Sequence, residues 1–133
     1  MTRLGAPTVI FACVHSAGRS QMAAAFFNQL PNARAVSAGT QPADRVHPVV
    51  VEAMQEVGID LTRETPQLLT PALAVEAQWL ITMGCGEACP VVPGVKREDW
   101  ALDDPAGQPI ERVRAIRDDI RARVQQFRHR ESL

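Results

Sequence analysis

Thr8-Val9-Ile10-Phe11-Ala12-Cys13-Val14-His15-Ser16-Ala17-Gly18-Arg19-Ser20-Gln21 joins two kinds of local structure across one short turn. Residues 8–12 are β-branched, aromatic and apolar, and read as a buried strand. Gln21 to Phe27 reads as a helix. A strand that feeds a small-residue turn into a helix start gathers backbone N–H groups at one point, beside the positive end of the helix dipole. An oxyanion fits there, and the same field favours a thiolate. Arg19 adds a planar fork suited to a tetrahedral oxyanion. A cysteine that merely packed a core would need no glycine, arginine and serine at fixed offsets. The pattern therefore predicts a nucleophilic Cys13 in contact with the anion it attacks. The anion loop is Val14, His15, Ser16, Ala17, Gly18, Arg19 and Ser20. No Gly-Lys-Ser/Thr follows, so the loop is not a nucleotide-binding Walker motif.

Bulk properties narrow the class. A chain of 133 residues, 46% hydrophobic and 22% charged, reads as a single domain over 1–133 with ordinary globular composition. A net charge of −1 gives no electrostatic reason to expect nucleic acid or a membrane surface. No apolar run reaches membrane-spanning length, and the N-terminus lacks a signal-peptide core. Three cysteines, an odd count, argue against a secreted disulfide framework. The expected location is cytoplasmic, and a monomer is expected.

Working outward, Ala33 to Ser37 reads as a second strand ended by Ala38-Gly39. His47-Pro48 opens a helix with Val50, Val51, Met54 and Val57 on its apolar face. Thr70-Pro71 reads as a cap and first residue of a short helix through about Ala77. Trp79 to Met83 is a third strand and Lys96 to Ala101 a fourth, with a loop from Cys85 to Gly94 between them. The last helix carries Ile110, Val113, Ile116, Ile120, Val124 and Phe127 on one stripe, with its arginines and acids on the surface. Alternating strands and helices predict an α/β fold, a parallel sheet covered on both faces. Ligands of such sheets bind beyond the carboxyl ends of the strands, where Cys13, Cys85 and Asp104 all fall.

Asp104, in Asp103-Asp104-Pro105, is a candidate general acid for a poor leaving oxygen; its plain alternative is a turn residue. Cys85 and Cys89 admit two readings. One is half of a zinc site, although no second ligand pair is evident. The other is a redox relay, for which Gly84, Gly86 and Pro90 leave room to rearrange. His15 and His47 read as loop and turn residues. Trp79 and Trp100 read as packing.

The Cys13–Ser20 loop resembles that of the low-molecular-weight protein tyrosine phosphatases, and still more that of their relatives, the arsenate reductases of the same fold. Ser37-Ala38-Gly39-Thr40, Thr82 to Pro90, and Lys96-Arg97-Glu98-Asp99-Trp100 with Asp103-Asp104-Pro105-Ala106 extend the likeness along the chain. The resemblance implies a four-stranded sheet in the order 2-1-3-4 and a reduction of arsenate by Cys13, Cys85 and Cys89. In that scheme Cys13 attacks, Asp104 protonates the departing oxygen, and Ser20 donates to Cys13. A Cys13–Cys85 disulfide then gives way to Cys85–Cys89, which thioredoxin reduces. Thiols supply both electrons, so no cofactor and no catalytic metal are expected. Phosphate or sulfate would act as arsenate analogues. Three departures stand out. Relatives commonly carry asparagine where Ser16 stands. Some bind a structural cation through an acid at the position of Ala24. The phosphatases place tyrosines after the Asp-Pro, whereas this chain has no tyrosine at all, which makes phosphomonoester hydrolysis the alternative.

Overall fold

In the computed structural model, residues 7–31, 33–84, 89 and 91–133 are described. They form β1 (Val9–Cys13), α1 (Arg19–Phe27), β2 (Ala35–Gly39), α2 (Pro48–Gln55), α3 (Pro71–Ala74), β3 (Trp79–Thr82), β4 (Lys96–Asp99) and α4 (Ile110–Glu131). The four strands make one sheet, order β2-β1-β3-β4, and every pairing is parallel. The expected α/β architecture and strand order are therefore those of the molecule.

β1 is central and wholly buried, which is why its sequence is a continuous apolar run rather than an alternating one. Its side chains still alternate between the two faces of the sheet. Val9, Phe11 and Cys13 face a large core closed by α1, α2 and α4. Ile10 and Ala12 face a smaller one with Leu69, Ala74, Leu80 and Cys89. The large core is anchored by aromatic rings. Phe11 meets Phe27 edge-on at 6.1 Å, and Trp79 meets Phe127 edge-on at 5.1 Å. Such pairs add about 0.5–1.5 kcal/mol each beyond the area they bury. Trp100 is buried beside them, so both tryptophans pack, as expected.

The helices begin as their sequences dictate. Pro48 and Pro71 occupy first-turn positions, and the Thr70 hydroxyl accepts the Leu73 N–H at 3.1 Å. α4 places Glu111 in its first turn and Arg128, His129 and Arg130 in its last, matching its dipole.

Several expected boundaries move. The second strand was expected over Ala33–Ser37, but β2 runs from Ala35 to Gly39. Ala38 and Gly39 pair in register with Ala12 and Cys13, and this pairing overrides the weak strand preference of small residues. α3 ends at Ala74 rather than about Ala77, and β4 at Asp99 rather than Ala101. Two of the seven arginines of α4 are not on its surface: Arg117 and Arg128 are buried, at 8% and 6% exposure. Arg117 donates to the Ala53 carbonyl at 2.9 Å and to Glu56 at 2.8 Å, tying α4 to α2.

Glu56 also receives a two-pronged contact from Arg114. The Arg114 hydrogen bond, helped by Arg117 and by the charge of both guanidiniums, lowers the Glu56 carboxyl from 4.5 to about 2. The unfolded chain therefore takes up this proton first. The resulting stability is complete above about pH 4.5 and is lost as pH falls toward 2. Glu56→Gln should accordingly unfold more easily than wild type near neutral pH, and the gap should close across that window. Denaturant melts at a series of pH values read the gap directly, and a gap independent of pH would contradict this account.

Candidate active site

The carboxyl ends of β1, β2, β3 and β4 bring Cys13, Gly39, Thr82 and Asp99 to one edge of the sheet, with Cys13 opposite Gly39 and Thr82 opposite both Ala12 and Asp99. From Cys13 the chain turns straight into α1. The start of α1 has Gly18 as its cap, no side-chain cap and no acid in its first turn. Its N–H groups and the positive end of its dipole are thus left to an external anion. Cys13 is a free thiol, 2% exposed.

A chain of hydroxyls supports the thiol from behind. Cys13 Sγ lies 2.8 Å from Ser20 Oγ, Ser20 Oγ 2.6 Å from Ser37 Oγ, and Ser37 Oγ 2.8 Å from Ser16 Oγ. At the far end the Gln67 N–H donates to Ser16 Oγ at 3.4 Å. That amide is a donor only. One arrangement then satisfies every link toward a thiolate: Ser16 donates to Ser37, Ser37 to Ser20, and Ser20 to Cys13. Ser16 takes φ +52°, the left-handed region that asparagine enters more readily than serine. Its hydrogen bonds to Ser37 and Gln67 offset the cost of that turn.

Two side-chain amides hold one carbonyl of the loop and one of β2 behind it. Gln21 Nε2 donates to the Ser16 carbonyl at 2.9 Å, and Gln67 Nε2 to the Ser37 carbonyl at 3.0 Å. Both glutamines line a cavity of about 300 Å³ behind the loop, together with Ala24 and Glu64. This is where the cation of some relatives would need its acid. Ala24 offers no donor atom, and the carbonyls at hand already accept amide protons. Glu64 is the one carboxylate among the residues that line the cavity. Among the described residues no group of three or more His, Cys, Asp or Glu is placed to hold a metal.

Arg19 closes the other side of the site. It is 8% exposed and donates from Nη1 to the Leu102 carbonyl at 3.1 Å. Its Nη2 stands 3.8 Å from Asp104 Oδ2. Gly84, at φ +104°, passes so close that a Cβ there would meet Arg19 Nη1 at 2.3 Å. Only glycine fits that position. Likewise a Cβ on Gly18 would stand 2.8 Å from Pro105 Cγ, so the Asp-Pro loop rests on the anion loop. Asp104, half exposed, accepts the Ala106 N–H at 2.9 Å through Oδ1, which leaves Oδ2 toward Arg19. Its neighbour Asp103 is instead paired with Arg112 of α4. The two acids therefore serve different places.

His15 Nδ1 lies 2.9 Å from the Gln41 carbonyl. His47 precedes α2, and its N–H donates to the Ala17 carbonyl at 2.9 Å. Burial lowers the His47 pKa; the charge of Asp104 opposes the shift and that of His15 adds to it. Cys89 is buried, at 3% exposure, and disulfide-bonded. Its carbonyl accepts from Arg97 at 3.3 Å. The expectation for Cys85 falls outside the described residues.

Sequence reasoning did not single out Ser37, Gln21 or Gln67 as site residues. Ser37 left two signals, its place in the Ser37-Ala38-Gly39-Thr40 stretch that carries the family likeness and its polarity inside the short strand AVSAG. The glutamines left none.

The profile of the family described as low molecular weight phosphotyrosine protein phosphatase matches residues 8–133. A Halobacterium salinarum protein, whose name places it provisionally among the arsenate reductases, is 44% identical over 121 residues, covering 86% of this chain and 85% of its own. Arsenate reductase 2 of Staphylococcus haemolyticus is 35% identical over 128 residues, covering 92% of this chain and 97% of its own. Among solved structures, the thioredoxin-dependent arsenate reductase of Corynebacterium glutamicum superposes with a TM-score of 0.77 at 36% identity. The match covers 91% of this chain but spans only 59% of that one.

Ser37 is the hub of the hydroxyl chain, so its loss tests whether that chain shapes the loop. Ser37→Ala strands a partner on each side. It should lower stability by about 1–3 kcal/mol and weaken the binding of inorganic phosphate, measured by calorimetry. Unchanged phosphate affinity would show that the hydroxyl chain does not hold the loop.

Proposed function

We propose that this chain, which belongs to the low molecular weight phosphotyrosine protein phosphatase family, reduces arsenate to arsenite with thiols as the source of electrons. The observation that carries this reading is Cys13 itself: a free thiol before an uncapped helix start, with Ser20 at 2.8 Å and Arg19 bridging toward Asp104. The names of the relatives supply the substrate.

In the proposed reaction, arsenate sits on the N–H groups of Val14, His15, Ser16, Ala17, Gly18, Arg19 and Ser20, with the Arg19 guanidinium on its oxygens. The Cys13 sulfur attacks arsenic, and Asp104 gives a proton to the oxygen that leaves as water. The arsenic remains As(V), bound to sulfur. Cys85 then attacks the Cys13 sulfur. The electron pair of the S–As bond passes to arsenic, which leaves as arsenite, and a Cys13–Cys85 disulfide forms. Cys89 attacks Cys85 and frees Cys13. The Cys85–Cys89 disulfide carries the two-electron oxidation equivalent to thioredoxin. Such a cycle needs a compartment that keeps thiols reduced, which supports a cytoplasmic location.

The second reading is phosphomonoester hydrolysis through a phospho-Cys13. The same loop would hold phosphate, and the same Asp104 would protonate the leaving alcohol. Against it, Pro105-Ala106-Gly107 and the lack of tyrosine leave no ring to stack on an aryl group. Two assays with the purified protein separate the readings: arsenite production with a thioredoxin system, and hydrolysis of an aryl phosphate.

Two sets of variants test the assignments. Asp104→Asn should slow arsenate reduction by about 10²–10⁴-fold, and Asp103→Asn should do much less; the reverse order would move the acid to Asp103. After a single turnover, Cys89→Ser should stall as a Cys13–Cys85 disulfide, visible by non-reducing peptide mapping. Full-rate multiple turnover of Cys89→Ser with thioredoxin alone would refute the three-cysteine order.

A further inference from the structure

α1 and α4 part at their carboxyl ends, opposite the anion loop and about 13 Å away along α1. They leave a groove of about 580 Å³ there, within the usual range for small-molecule sites. Its apolar walls are Phe26, Leu30, Val124 and Leu133, with Gln29, Gln125, His129 and Ser132 between them, and no acidic side chain lines it. Leu30 is 53% exposed at its rim.

Arg128 also lines this groove. It is 6% exposed. Its Nη1 donates to the Phe27 carbonyl at 2.9 Å, and its guanidinium lies 4.3 Å from the centre of the Phe27 ring. Those two contacts fix the plane of the group. The remaining edge, Nε and Nη2, is closed to solvent and has no hydrogen-bond partner among the described residues. Arg117 makes the contrast on the same helix. It is buried to a similar degree, yet it is met by the Ala53 carbonyl, Glu56 and Asp118. Burial with nothing to offset it shifts the Arg128 pKa downward, whereas Arg117 is shifted upward. Charged donors left unpaired in a protein interior are costly, and native structures seldom leave them without a purpose.

We propose that this groove is a binding site for a small amphipathic carboxylate, whose carboxyl group pairs with the Nε–Nη2 edge of Arg128 and whose apolar body lies along Phe26, Leu30 and Val124. The chemistry of the unpaired edge selects the ligand. Nε–H and Nη2–H are parallel donors at the spacing of two carboxylate oxygens. Because the edge is shut off from water, its acceptor must bring an apolar body that fills the space solvent does not. A bare inorganic ion would leave the apolar walls uncovered and lose its own hydration. Arg121, whose guanidinium lies 5.7 Å from the Phe26 ring, adds positive charge nearby. Entry requires a lining side chain to swing aside, and Gln29, Leu30, Gln125 and His129 are exposed.

Titration of the full chain with octanoate, followed by calorimetry and by NMR of arginine Nε–H groups, tests the site. The expected result is saturable binding that moves the Arg128 signal and leaves that of Arg19 in place. Octanol, with the same tail and no carboxylate, should bind at least about tenfold more weakly, as should inorganic phosphate at this site. Arg128→Lys keeps the charge and removes the fork, and should weaken octanoate by a similar factor. Leu30→Asp, at an exposed position away from the anion loop, should do so too without changing arsenate turnover, which guards against a folding defect in the Arg128 variant. Octanol binding as tightly as octanoate would reduce the groove to an apolar crevice and overturn the proposal. So would a moved Arg19 signal with Arg128 unmoved, or octanoate affinity indifferent to Leu30→Asp.

Discussion

The turn from β1 into α1 sets the terms for everything around it. β1 is pinned on both sides by parallel partners and buried along its length, so Cys13 cannot shift without moving the sheet. α1 is in turn buried over most of its surface. The loop between these two fixed elements must expose its N–H groups and yet stay rigid. Its own N–H groups have to stay open for an anion, so the loop is held through its carbonyls: those of Val14, His15 and Ala17 accept the main-chain N–H groups of Gln41, Ala43 and His47. Side chains add to this bracing from behind: the serine hydroxyls, the two glutamine amides and the Arg19 guanidinium. The rest of the site inherits its position from them. Arg19 points at Asp104, Gly18 gives Pro105 its seat, and Gly84 makes room for Arg19.

A site of this kind does not by itself distinguish two reactions. A tetrahedral oxyanion, a thiol nucleophile and an acid for the leaving oxygen serve phosphoryl transfer and arsenate reduction equally well. What differs is the fate of the sulfur adduct. Water attacking phosphorus completes a hydrolysis, whereas a second thiol attacking sulfur completes a reduction. The division of labour between Asp103 and Asp104 belongs to the step the two chemistries share. One acid stabilises the start of α4 through Arg112, and the other is left available near Arg19.

Residues close together in the chain were legible from their spacing; of those joined only by folding, Asp104 was legible from its place past the last strand and from the family resemblance, and the residues behind the loop were not. Cys13, Arg19 and Ser20 sit within eight residues on one strand–turn–helix, and their spacing alone conveys the geometry. The strand order came from family resemblance, and the sheet itself from alternating apolar patterns. Ser37 becomes part of the site because β2 pairs with β1 in a register that sets it opposite Phe11. Nothing local specifies that register. Gln67 arrives on a loop that returns past Gly39. Arg128 looked like one more surface arginine on a charged helix, since the apolar stripe of α4 gives no hint that α1 ends against it. The boundary of β2 was missed for a related reason: glycine ends strands by local preference, yet here the neighbouring strand keeps it in the ladder.

The glutamine amides behind the loop have a physiological corollary. A loop steadied by a bound ion takes its rigidity from the surrounding fluid, and its performance rises and falls with the ion's concentration. Here the equivalent support is covalently part of the chain. Gln21 and Gln67 are neutral, carry their own protons and need nothing recruited from outside. The Ser16 and Ser37 carbonyls are thereby held by amides of the chain itself, whatever ions its surroundings supply.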